Sequence, residues 1–269
     1  MCTKTADFRR IFDYVQEPIF YDGGHTLSFG NKIIAENVFS VISPIYFGQT
    51  YSVIHSDLQI GNNEPETGIV YAVGANFSGK NFDNLNLQNA VFDKADLSNT
   101  SFKNTIIDGA RFVFANLNNS NLLDRTDLSN INLAGTDLSD VSFKGKNLSG
   151  TILTGADLSN TNLAGVDLSG KDLTGTILTG ADLSNTNLAG VDLSGKDLTG
   201  TILAGVDLSG KDLTGTILTG ADLSNTNLAG VDLSNTNLAG VDLSGKDLTG
   251  TILTGADLSD TILTGVDLS

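Results

Sequence analysis

Large apolar residues return every five positions along most of the chain. The first run goes from Phe77 to Leu122, and after one step of six the second goes from Leu128 to Leu268. Together they hold 39 pentapeptides, ten in the first run and 29 in the second. A helix repeats every 3.6 residues and a strand every 2.0, so neither element explains this period.

Each pentapeptide has the same pattern around its apolar centre, as in Ala156-Asp157-Leu158-Ser159-Asn160. A small or β-branched residue stands two before the centre, Asp or Asn stands directly before it, and two small or polar residues follow. Two apolar positions in five are both buried only if each pentapeptide forms one short side of a coil and the next one turns a corner. Stacked coils then share one core.

The motif resembles that of the pentapeptide repeat family over about residues 73–269, and Ala181-Asp182-Leu183-Ser184-Asn185 repeats it. The resemblance implies an all-β solenoid, a right-handed quadrilateral β-helix with four pentapeptides per coil. The centre and the residue two before it would point inward. The array would then form about ten coils and, at a strand spacing of about 4.8 Å, a rod about 47 Å long.

Residues 1–72 have a different composition and predict a separate N-terminal domain. All three Pro, all five Tyr, both His and every Glu lie there. Phe8, Ile11, Phe12 and Val15 at helical spacing predict a short helix near residues 6–15. Segments 19–21, 26–29, 38–42 and 51–54 are rich in β-branched and aromatic residues and predict strands. We expect a small α+β or mostly-β domain, followed by the rod over 73–269.

Two features depart from the family pattern. The six-residue step passes through Asp124 and Arg125, and we favour a β-bulge that absorbs one residue over a kink or recognition point. Lysines also stand at inward positions. Because a buried unpaired ammonium costs several kcal/mol, we expect their stems to cover the core and their ammonium groups to reach water, and the alternative is presentation to an acidic ligand. These lysines are Lys80, Lys146, Lys171, Lys196, Lys211 and Lys246.

Tandem duplication shapes the C-terminal half of the array. Residues 150–174 recur without change at 175–199, a unit of five pentapeptides. On a coil of four, equivalent residues shift by one face per unit, which places Lys146, Lys171 and Lys196 on three successive faces. This geometry predicts an array extended for length, without one aligned binding face.

The charge is strongly negative, with 15 Lys plus Arg against 31 Asp plus Glu and a net charge of -16. An acidic chain disfavours direct binding of nucleic acid or anionic membranes. The family includes DNA mimics that bind type II topoisomerases, so the resemblance implies mimicry of DNA toward such an enzyme as an alternative function. However, Asp before the central Leu is the family consensus, so duplication alone also produces an acidic rod. The candidate interaction surface consists of Asp157, Asp167, Asp172, Asp182, Asp192 and Asp197.

The main hypothesis is a non-enzymatic structural or protein-interaction solenoid, with any specific recognition in the N-terminal domain and an unidentified protein partner. One Cys and two His, without a catalytic or metal-ligand motif around them, predict no enzymatic activity, cofactor or metal. No apolar stretch long enough for a signal peptide or membrane span occurs, so we expect a cytoplasmic protein. The array ends in full register at Ser269, which leaves two hypotheses: an end-to-end homodimer through the last coil, or a recent expansion or truncation with little selection on the terminus.

Overall fold

The structure is a computed structural model that describes residue 70 and residues 72–267. The helix predicted near residues 6–15 and the strands predicted between 19 and 54 lie outside the described residues. The rest forms a β-helix held by isolated parallel bridges, such as Asn76 to Asp96 and Asp157 to Ile177. Most bridges join residues that are four pentapeptides apart in the chain, so one coil holds four pentapeptides, and the predicted coil is confirmed.

The four pentapeptides of a coil define four faces, numbered here in chain order. Each face is named by its central residues, which recur once per coil, with one extra residue between Leu122 and Leu128. Face 1 contains Ala72, Phe92, Phe112 and Leu133 to Leu253, face 2 Phe77 to Leu258, face 3 Phe82 to Leu263, and face 4 Leu87 to Leu248.

Every corner is a four-residue turn that begins at a centre. The N–H of Lys80 donates to the carbonyl of Phe77 at 2.9 Å, and the same bond recurs along the rod. Apart from the corner after Leu122, the third residue of each described turn is left-handed, as at Asn84 with φ 62° and Gly109 with φ 71°. A type II turn requires this conformation, which Gly adopts freely and Asn tolerates. The corner geometry therefore explains why Gly or Asn follows most centres by two positions.

Most centres and most residues two before them are buried, as the pattern predicted, whereas the centres Leu253, Leu258 and Leu263 of the last coil are partly or largely exposed. In the first coils the core is aromatic. Phe82 and Phe102 of face 3 stack with ring centroids 5.0 Å apart, and Phe92 and Phe112 of face 1 stack at 5.5 Å. The two stacks meet edge to face across the rod, since the ring centroids of Phe92 and Phe102 are 6.5 Å apart and their ring planes are inclined by 84°. Faces 1 and 3 are thus opposite walls.

The six-residue step is a 3-10 turn, not the expected β-bulge. The turn covers Asn121–Asp124, and the Ser120 hydroxyl caps it by accepting from the N–H of Leu122 at 3.3 Å. The bridge across it joins Arg111 to Asn132, so this coil is longer than its neighbours by a single residue. A bulge needs a continuous ladder, whereas each face here contributes one isolated bridge, so the additional residue is absorbed at a corner.

Deletion of Arg125 tests this account of the step. It leaves Leu122-Leu123-Asp124-Thr126-Asp127-Leu128, which restores the five-residue spacing and places Asp124 at the left-handed corner position that Asp140 occupies with φ 60°. The buried Nε of Arg125, which has no hydrogen-bond partner, is removed as well. We expect the deletion variant to fold and to melt at or above the wild-type temperature by circular dichroism. A matched deletion of Ala164, inside a regular corner, should lower the melting temperature; equal losses for both deletions would contradict the account.

Candidate interaction surface

The outward Asp and Asn side chains cap the corners of the coil. An Asp or Asn directly before a centre typically accepts, through Oδ1, the N–H of the residue after that centre. The N–H of Ser159 donates to Asp157 at 2.9 Å, and that of Thr174 donates to Asp172 at 2.8 Å. This is an Asx turn, which satisfies a backbone donor that the corner leaves without a backbone partner. The repeat therefore uses its acidic position to build the turn.

The six candidate aspartates all make this cap, and they lie on all four faces. Asp172 and Asp192 stand on successive coils of face 1. Asp157 and Asp197 belong to face 2, where the exposed Ile177 lies between them. Asp182 lies on face 3 and Asp167 on face 4. The structure thus brings only one pair of the six together.

The caps also stabilise the charged form of the carboxylates. Hydrogen bonds from the side chain and backbone of Thr174 lower the pKa of Asp172, and those from Ser194 lower the pKa of Asp192. The same bonds from Thr199 lower the pKa of Asp197. These groups are strongly acidic because they accept hydrogen bonds within the turn, and they stay ionised at neutral pH.

The arrangement of the carboxylates differs between faces 4 and 1. On face 4 Asp and Asn alternate from Asp127 to Asp247, and the Asn147 amide donates to Asp127 at 3.1 Å. An amide therefore separates successive charges. On face 1 four aspartates follow one another on consecutive coils. Hydrogen bonds from Thr214 lower the pKa of Asp212, and the charge of Asp192 opposes them by a smaller amount. The uninterrupted column, called here the face-1 ladder, is Asp172, Asp192, Asp212 and Asp232.

The inward lysines are half-buried, and four of the six bind backbone carbonyls of the preceding coil. The Lys196 ammonium donates to the Leu173 carbonyl at 2.7 Å, and Lys211 donates to that of Leu188 at 2.8 Å. Threonines at the same position do this with a hydroxyl, as when Thr236 donates to Leu213 at 2.8 Å. The lysines thus replace a threonine hydroxyl, and burial is the main cause that lowers the pKa of Lys171, Lys196 and Lys246.

Asp124 and Arg125, the residues of the six-residue step, also have structural positions within the coil. Arg125 is half-buried, its Nη1 donates to the Phe102 carbonyl at 3.2 Å, and its own carbonyl accepts from the Lys146 ammonium at 3.0 Å. Asp124 ends the 3-10 turn and lies beside a surface cleft lined by Leu123, Val141, Lys144 and Lys146. A recognition role for this cleft stays a prediction.

Face 1 carries an apolar surface that the sequence analysis missed. Between residues 72 and 157 it is the face whose outward positions repeatedly hold apolar residues, among them Val73 at 58 % exposure and Phe114 at 63 %. This surface is called here the face-1 apolar patch, and it consists of Val73, Val91, Val113, Phe114, Ala134 and Ile152. If the sequence is written in rows of four pentapeptides, with one residue removed at the six-residue step, these apolar positions fall under one another.

No group of three or more His, Cys, Asp or Glu in the described part of the chain could hold a metal ion. Cys2, His25 and His55 lie outside that part. Within residue 70 and residues 72–267, no helix has the length and apolar character needed to cross a membrane.

Comparison with known proteins identifies the repeat. The model of the pentapeptide repeats matches in eight copies that together cover residues 73–269. Among solved structures, HetL of the cyanobacterium Nostoc sp. strain PCC 7120, a pentapeptide repeat protein involved in regulation of heterocyst differentiation, is 29% identical and has a TM-score of 0.39; the match covers 72% of this chain and 89% of that one.

Two further solved structures are similar. Full-length QnrB1, a plasmid-mediated fluoroquinolone resistance protein, is 20% identical over 74% of this chain and 91% of that chain, with a TM-score of 0.29. Rfr23 of the cyanobacterium Cyanothece 51142, a pentapeptide repeat protein, is 25% identical over 68% of this chain and 90% of that chain, with a TM-score of 0.13. The comparison with curated proteins gave no match.

Substitution of Asp197 tests the capping role of the aspartates. Asn at this position keeps the acceptor for the Thr199 N–H, whereas Ala removes it and should lower the free energy of unfolding by about 1 kcal/mol at neutral pH. The pKa of Asp197 is lowered in the fold, so its contribution is present above the ordinary value of 3.8 and is lost as the pH falls through the lower folded value. Denaturation should be measured from pH 7 to pH 2. We expect the difference in free energy of unfolding between wild type and the Ala variant to shrink in acid, and the difference between the Asn and Ala variants to persist. Equal stability of Asp, Asn and Ala at pH 7 would refute the cap.

Substitution of Lys211 tests whether lysine replaces threonine. Lys211→Thr should retain a donor to the Leu188 carbonyl, as Thr186 has toward Leu163 at 2.9 Å. Lys211→Ala removes the donor, and we expect it to be less stable than the threonine variant by about 1 kcal/mol in denaturant unfolding. An alanine variant as stable as the threonine variant would show that the bond contributes nothing.

Proposed function

Because the chain belongs to the pentapeptide repeat family over residues 73–269, we propose that it is a non-enzymatic structural or protein-interaction solenoid. In this proposal the rod is cytoplasmic, winds to the right as the family resemblance implies, and serves as a spacer or scaffold. Any specific recognition belongs to the N-terminal domain over residues 1–72. The end-to-end homodimer remains a prediction.

One observation carries this proposal: identical side chains of the duplicated units occupy different faces. Ile152, Ile177 and Ile202 hold the same position in the repeat, yet they lie on faces 1, 2 and 3. Lys146, Lys171 and Lys196 advance in the same way, which confirms the predicted shift of one face per unit. A site made of aligned copies needs a unit that is a multiple of the coil, so duplication here lengthens the rod without repeating a site.

The engagement of the polar side chains supports the same proposal. The aspartates cap corners, the threonines donate to backbone carbonyls, and four of the inward lysines do so as well: Lys146, Lys171, Lys196 and Lys211. These groups stabilise the coil itself, as a scaffold requires. Convergence of several such groups on one point would instead favour catalysis.

The face-1 ladder favours a second candidate function, the acidic DNA mimic. Its four carboxylates recur once per coil, about 4.8 Å apart, as a column of like charge along a narrow rod. Against this function, the ladder is flanked by Lys171, Lys196 and Lys211. Beyond the larger effect of the turn hydrogen bonds, the attraction of Lys196 also lowers the pKa of Asp172 and Asp192. The column is therefore partly neutralised.

Competition with duplex DNA for a purified type II topoisomerase separates the two functions. We expect no displacement of labelled duplex by the wild-type chain at low or moderate salt. Displacement would favour mimicry if it were salt-sensitive and were lost in the quadruple variant D172N, D192N, D212N, D232N. Asn keeps the corner caps, as Asn162 does for the N–H of Ala164 at 3.1 Å, so the variant changes charge and retains the fold. The matched control is D127N, D167N, D207N, D247N on face 4, which removes the same charge from another face.

A further inference from the structure

The face-1 apolar patch stands apart from the rest of the outer surface. Over the same coils, the outward positions of face 2 hold only Asn, Asp, Ser and one Gly, from Asn76 to Ser159. On faces 3 and 4 single apolar residues occur, Leu123 and Ile106, without a column. The apolar residues therefore recur along one wall of the rod over about 19 Å, with Asp93, Arg111 and Asn132 between them. Val73, Phe114 and Ile152 are exposed and the other three are half-buried, and exposed apolar residues gathered on one face indicate a contact site.

The geometry of Phe114 supports a preformed contact surface. Phe114 occupies the left-handed corner position with φ 55°, where this rod otherwise has Gly, Asn, Asp or Lys. A bulky residue is disfavoured in that conformation. Its ring lies against Gly135 of the next coil, because a Cβ atom at Gly135 would collide with the ring. A large aromatic side chain is thus held on the surface at a strained position, 63 % exposed.

The chain enters the rod at the same wall. The Val70 carbonyl accepts from the N–H of Val91 at 2.6 Å, and the N–H of Ala72 donates to the Val91 carbonyl at 2.7 Å. Val91 belongs to the patch, and Val73 follows directly after the entry. Residues 1–69 are thus tethered at the end of the patch, and a segment of that length is more than sufficient to cover a stretch of about 19 Å.

The composition of residues 1–69 matches the patch in two respects. They contain ten of the 18 Phe and Tyr residues of the chain, so they can supply apolar contacts. They also carry four Lys plus Arg against eight Asp plus Glu, a net charge of -4. The exposed Lys94 and Arg111 lie beside the patch on face 1, the latter paired with Asp93 at 2.6 Å, whereas the carboxylates of the face-1 ladder, farther along the same face, would repel an acidic segment.

We propose that residues 1–69 dock on the face-1 apolar patch and do not extend along face 1 as far as the face-1 ladder. The segment and the first five coils then form one unit, and the duplicated coils extend beyond it. A recognition element in the segment would be held at a fixed position on one wall at one end of the rod.

Energy transfer from tyrosine to tryptophan tests this proposal in the full chain. The protein has no Trp, and Tyr71→Phe leaves four tyrosines, all within residues 1–69. In that background F114W places an acceptor on the patch, and the matched control K103W places it on the exposed outer side of face 3, the opposite wall. We expect transfer to the indole at position 114 to exceed transfer to that at position 103 severalfold, independent of protein concentration. Equal transfer to both indoles, or none at position 114, would overturn the proposal, and transfer that appears only at high concentration would overturn it by assigning the patch to a second copy.

A second measurement does not depend on the introduced indole. The variant V73T, V91T, V113T makes the patch more polar while it keeps side-chain shape, and the control I177T, I217T replaces two exposed apolar residues by Thr on face 2. We expect trypsin to cleave the full-length face-1 variant severalfold faster after Lys32, whereas the control should match the wild type. Equal cleavage rates in all three proteins would count against docking on face 1.

Discussion

The corner turn is the constraint on which the rest of this structure depends. A coil of four pentapeptides closes only if each centre is followed by a turn whose third residue is left-handed, as Gly and Asn allow. The Asp or Asn before the centre completes the turn by capping a backbone N–H. Every repeat position is thereby assigned: two residues fill the core, two form the turn and one caps it.

This constraint explains why duplication lengthens the rod without aligning equivalent side chains on one face. Any copy of five pentapeptides continues the turns and the core, so it folds, but it advances each side chain by one face. The exceptions lie where the sequence is less regular. The aromatic stacks, the 3-10 turn, Phe114 and the face-1 apolar patch are all found before residue 153, in the first part of the described rod.

The sequence predicted the coil and its inward positions because a period of five with two apolar residues admits few structures. It also placed Lys146, Lys171 and Lys196 on successive faces, since that follows from counting. The prediction that the lysine ammonium groups reach water missed their bonds to backbone carbonyls, because a carbonyl far back in the chain, as Leu173 is for Lys196, becomes a neighbour only in the stacked coils. The 3-10 turn was missed for a similar reason: the spacing shows one extra residue at Arg125 but not whether a side or a corner absorbs it.

The central claim is that every four pentapeptides of the array advance the rod by one coil. Spin labels at Ser149 and Ala229, and at Ser149 and Thr249, in a Cys2→Ser background, measure this advance on one face. The first pair spans four coils and predicts a backbone separation of about 19 Å, and the second spans five coils and predicts about 24 Å. The difference between the two separations is one strand spacing, the advance from Ala229 to Thr249. Pulsed electron resonance distances with that increment would support the account. Distances that instead followed steps of five pentapeptides, or that did not increase between the two pairs, would contradict it.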